Sequence, residues 1–114
     1  MASNLRILAF DTSGNSCAAA VLEGERVLAE EQQLMERGQA ERLVPMIETV
    51  LETAMLPHDQ LDALAVTTGP GAFTGVRIGL ATARGYGLAL GLPQIGASSL
   101  EVLAAGTTPA ERHD

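Results

Sequence analysis

Apolar residues along this chain fall into two periods, and the two periods define most of its elements. "LRILAF" (5–10) and "LDALAVTT" (61–68) are nearly continuous apolar runs, the pattern of strands buried on both faces. "SCAAAVLE" and "RVLAEEQQ" flank Glu23-Gly24-Glu25 and predict a hairpin. In "GQAERLVPMIETVLETAML" the period changes. Leu43, Ile47, Val50, Leu51 and Ala54 recur at helical spacing, with Glu41, Glu48 and Glu52 largely off that stripe. Pro45 either kinks this helix or marks a late start. "PHDQ" turns the chain, and "TTGPGAFTGVRIG" (67–79) then leads into a second helix running to about Gly91. "PQIGAS" is a fifth strand, and Ser98 or Ser99 can cap a last short helix, "LEVLAAG". The predicted order is βββαβαβα, an α/β fold with helices packed on a mixed five-stranded sheet.

The second helix is unusual in its glycines. Gly75, Gly79, Gly85 and Gly87 lie inside it, at roughly 3–4 kcal/mol of lost helix propensity relative to alanine. Gly75, Gly79, Ala83, Gly87 and Gly91 share one i, i+4 row, which would let another backbone approach closely. The row, with Arg77 and Arg84 on the exposed side, predicts a docking helix. On that reading, leucine at Gly79 weakens association while leaving the fold intact.

Composition narrows the classes. The 114 residues carry 46% apolar side chains, enough for a core, and suit one lobe or one compact unit. Net charge is −7; residues 23–62 hold ten acids, whereas 63–100 hold none. With no lysine to neutralise phosphates, direct nucleic-acid binding is disfavoured. The apolar stretch 72–92 contains Arg77 and Arg84 and is a poor membrane span. The N-terminus lacks a signal-peptide pattern, and the lone Cys17 suits a reducing compartment, so a cytoplasmic location is expected.

Candidate chemistry is sparse. "FDTSGNSCAAAV" brings Asp11, Thr12 and Ser13 to a small polar turn that can surround a phosphate, and the same residues also make an ordinary hairpin turn. The glycine loop lacks the lysine of a Walker motif; an anion at the helix N-terminus and simple tight packing both remain open. His58, His113 and Cys17 have no partner at metal-ligand or nucleophile spacing. No cofactor and no catalytic set is expected.

"ILAFDTS", "ERLVPMI", "GPGAFTGVRIGLATARGYGLALGLP" and "IGASSLEVL", in this order, closely resemble the TsaB (YeaZ) family over about residues 5–105. The resemblance implies an actin/Hsp70-like (ASKHA, ribonuclease-H-like) lobe over 1–105, with 106–114 beginning a linker to a second lobe. It implies a non-catalytic dimerisation subunit for N6-threonylcarbamoyladenosine formation at tRNA position 37. The partner would be the catalytic subunit TsaD, with the ATPase TsaE in the larger assembly and a homodimer possible without them. The interface would be the first two helices, about 38–55 and 73–91. On this sequence that places Arg42, Met46, Phe73, Gly75, Val76, Gly79, Leu80, Ala83, Arg84 and Gly87 at the contact. TsaD's HxxxH metal pair is missing here, where the chain reads "RGQAERLVPM". The alternatives are a nucleotide-binding ASKHA phosphotransferase lobe, and a glycoprotease-like peptidase for which these residues offer no nucleophile.

Overall fold

A computed structural model describes residues 5–12, 15–67 and 73–97. Its elements are β1 (Arg6–Asp11), β2 (Ser16–Glu23), β3 (Arg26–Leu34), α1 (Gln39–Ala54), a 3-10 turn (His58–Gln60), β4 (Ala63–Thr67), α2 (Phe73–Leu90) and β5 (Gln94–Ala97). The predicted order is met through β5, and the last predicted helix lies outside the described residues.

The strands form one sheet in the order β3-β2-β1-β4-β5. β2 runs antiparallel to both neighbours, while β1, β4 and β5 are parallel. Connection length explains the difference. β2 and β3 are joined by two residues, with Gly24 at φ 62° supplying the left-handed step such a turn needs. Parallel neighbours instead require a crossover, and α1 and α2 provide it.

Alternation along the strands buries both faces of the sheet. On one face Leu8, Phe10, Ala19, Val21, Leu64 and Val66 meet Leu43, Met46, Ile47, Val50 and Leu51 of α1 and Ala83 of α2. The opposite face is small: Ala9 stands between Ala20 and Ala65, and these three, with Ala18 and Ala63, are all buried. α1 lies mainly across β2 and β3, α2 mainly across β4, and the two helices touch each other on the same face.

The ends of α1 depend on two left-handed residues. Gly38 has φ 96°, and its carbonyl accepts from the backbone N–H groups of Glu41 and Arg42 (3.2 and 3.1 Å). Gln39 folds back so that its side-chain amide donates to the Met35 carbonyl (3.1 Å). This early start leaves Pro45 inside the helix rather than at its beginning. At the other end Met55 has φ 57°; its N–H donates to the Glu52 carbonyl and that of Leu56 to Leu51, closing the helix in the Schellman manner.

Candidate functional site

Two places in this fold could carry function, and both are set by the parallel half of the sheet. Because β1, β4 and β5 are parallel, their carboxyl ends share one edge, the usual position of a ligand in an open α/β sheet. Asp11 and Thr12 lie there. Asp11 is half-buried, and Thr12 is only 2% exposed. The Thr12 hydroxyl sits beneath α2, 3.1 Å from where a Cβ on Gly79 would stand. Ser13 and the loop around Gly69 and Gly71 lie outside the described residues. Behind this edge Cys17 is buried, and that burial pushes its thiol pKa up, so it is core filler.

The second place is the helix pair, and here the glycine row needs correcting. A Cβ on Gly79 would meet Val66 Cγ2 at 3.0 Å and Thr12 Oγ1 at 3.1 Å; Ala83 is fully buried in the core. A Cβ on Gly87 would meet the Gln94 side chain at 2.7 Å and the Leu92 carbonyl at 3.3 Å. The row at Gly79, Ala83 and Gly87 therefore seats α2 on its own sheet and cannot also face a partner. Met46 is corrected in the same way, since it is fully buried against the sheet. Arg42 turns toward β3, donating from Nε to Gln33 Oε1 (2.9 Å) and lying 3.5 Å from Glu31. Phe73, Gly75 and Val76 belong to the first turn of α2, and their surroundings lie outside the described residues.

The outward side of α2 is a different row. Ala81, Gly85 and Ala89 are exposed, one i, i+4 line offset by two residues from the buried one. A Cβ at Gly85 would meet nothing within 4 Å. Leu80 (42%) and Leu88 (80%) flank this line with Arg84, and Val44 of α1 (44%) faces it. Between the helices runs a groove of about 310 Å³ lined by Val44, Thr82, Gly85, Tyr86 and Ala89.

One side of that groove is held by a cluster absent from the sequence-based expectations. Tyr86 donates its hydroxyl to Glu48 Oε2 (2.7 Å), and His58 Nε2 contacts the same oxygen at 2.9 Å. The His58 and Tyr86 rings are stacked, with centroids 6.4 Å apart and planes 7° apart. Burial by itself raises the Glu48 pKa; the hydrogen bonds from His58 and Tyr86, with the His58 charge, outweigh it and leave the carboxyl below its usual range. Burial and the Glu48 carboxylate together push the Tyr86 phenol well above its usual range. Glu48 and Tyr86 are 38 residues apart, so no local spacing could have announced the pair. Among the described residues, no three His, Cys, Asp or Glu side chains gather where they could hold a metal.

Comparison with known proteins places this geometry. The family model described as TsaD, tRNA N6-adenosine threonylcarbamoyltransferase, matches residues 27–113. The tRNA threonylcarbamoyladenosine biosynthesis protein TsaB of Haemophilus influenzae is 42% identical over 102 residues, covering 89% of this chain and 42% of that protein. Its Escherichia coli counterpart is 40% identical over 102 residues, covering 90% of this chain and 44% of that protein. The solved structure of YeaZ from Pseudomonas aeruginosa superposes with a TM-score of 0.79 at 38% identity, over 88% of this chain and 46% of that one. The chain thus spans less than half the length of these relatives. Family match, sequence identity and superposition agree: the chain belongs to the TsaD family, as a TsaB (YeaZ)-type member with the ASKHA fold.

Proposed function

We propose that this chain is the N-terminal lobe, residues 1–105, of a TsaB-type docking subunit in tRNA threonylcarbamoyladenosine formation, with 106–114 leading toward a second lobe. In this reading it performs no chemistry on the tRNA. It binds a TsaD-type catalytic subunit in the cytoplasm, a TsaE-type ATPase joins that assembly, and a second copy of the chain occupies the same face when TsaD is absent.

The observation that carries this reading is the outward face of the helix pair. Val44, Leu80 and Leu88 are apolar and exposed around a line of small residues, Ala81, Gly85 and Ala89, which lets a partner's backbone come close. The names of the relatives support the pathway, and the missing histidine pair at the start of α1 supports a non-catalytic role. The test is co-purification of the chain with TsaD from the same source, for the wild type and for Leu88→Glu. Retention of TsaD by the wild type and its loss in the variant are expected. Equal retention by both would remove the outward face of α2 from the interface.

A further inference from the structure

The Glu48–His58–Tyr86 cluster joins three elements at the groove wall, at the edge of the core against which the Tyr86 ring packs. α1 packs chiefly on β2 and β3, and α2 chiefly on β4, so the direct contact between the two helices is small. Between the helices the groove is lined by Val44, Thr82, Gly85, Tyr86 and Ala89, and α2 offers no side chain at Gly85 and only a methyl at Ala89. Tyr86 crosses that gap and donates to Glu48 on the other helix at 2.7 Å. The carboxylate cannot swing freely, because the same oxygen also holds His58 at 2.9 Å, and the His58 ring stacks on Tyr86. Tyr86 itself lines the groove. We propose that Tyr86 is a positioning residue, whose hydrogen bond to Glu48 sets the spacing of α1 and α2 and thereby the width of the groove that receives the TsaD-type partner.

This inference rests on the docking reading above. It assigns the cluster a role in geometry beyond its small, pH-dependent contribution to stability. Glu48 and His58 are each close to half exposed (45% and 43%), where ion pairs contribute little to folding. A hydrogen bond to a charged acceptor is nevertheless directional and short, which suits it to holding a distance.

The chain contains one tyrosine and no tryptophan, so tyrosinate absorbance reports this residue alone. Two measurements test the proposal: affinity for TsaD from the same source, and tyrosinate titration of the free chain. Tyr86→Phe keeps the ring and leaves Glu48 paired with His58, so the fold should persist by circular dichroism. Its affinity for TsaD should fall roughly threefold to tenfold. Glu48→Ala should match it, the double variant should be no worse than either single one, and Glu48→Gln, which retains an acceptor, should recover most of the loss. In the free chain, Glu48→Ala should bring the elevated phenol titration down toward its ordinary value. Wild-type affinity in Tyr86→Phe, losses that add in the double variant, or a titration indifferent to Glu48→Ala would each overturn the proposal while leaving docking itself intact. If the wild type fails to bind TsaD although the titration behaves as expected, the docking reading fails, and the role given to Tyr86 falls with it.

Discussion

Gly79 and Gly85 lie six residues apart on the same helix, and their surroundings are opposite. Gly79 is pressed between Val66 and Thr12, whereas the space over Gly85 is open. Gly85→Ala should therefore stabilise the fold by up to about 1 kcal/mol through helix propensity. Gly79→Leu should destabilise it by about 1–3 kcal/mol or more, because the side chain must displace β-sheet atoms. Thermal unfolding separates the two, since about 1 kcal/mol moves the midpoint by roughly 4–8 °C in a domain of this size. Gly38 offers a third comparison. A Cβ there would have ordinary contact with Met35, so Gly38→Ala tests backbone strain alone at φ 96° and should cost about 1–2 kcal/mol in denaturant unfolding. The i, i+4 rule put Gly79, Ala83 and Gly87 on one face but could not say which way it faced, and Gly91 of the same predicted row lies beyond the end of α2 and is exposed. A helix has two sides, and rotational setting is decided by the sheet, not by the spacing.

The two helices also carry the predictions about association and pH. Leu80→Glu should abolish co-purification with TsaD while leaving the unfolding midpoint nearly unchanged, since its side chain is exposed and outside the core. Arg84→Ala should weaken the complex by only about 0–1 kcal/mol, measured by titration calorimetry, as expected of a rim charge. The cluster at Glu48 predicts stability at both ends of the pH scale. Glu48 has a lowered folded pKa, so its contribution is present above the unfolded value and is lost as pH falls through the folded value. Tyr86 has a raised folded pKa, so its contribution is complete below the unfolded phenol value of about 10 and is lost as pH rises beyond it. Denaturant unfolding across this alkaline range should show wild-type stability falling more steeply than that of Tyr86→Phe. Both helices were legible from their spacing and sequence. Spacing left the start of α1 open at Pro45; the resemblance placed it near residue 38, where Gly38 and a side-chain bond from Gln39 back to Met35 set it.

For the molecule as a whole, charge makes the clearest prediction. At −7, with no lysine, the chain should bind tRNA without the steep salt dependence of a phosphate-neutralising surface; filter binding across salt concentrations checks this. A tight, salt-sensitive complex formed without TsaD would contradict it. The strands, their order along the chain and the two helices followed from periodicity, because each element's apolar pattern reports its own burial. The βββαβαβ succession also anticipated a mixed sheet, since short links favour antiparallel neighbours and crossovers favour parallel ones. What tertiary structure alone decided was orientation and long-range pairing. It turned Gly79, Ala83 and Gly87 onto the sheet, left Gly85 beneath the open groove, and buried Met46. It also brought Tyr86 across to Glu48 and His58. Spacing along a chain determines which residues share a face; only packing among distant elements determines what that face meets.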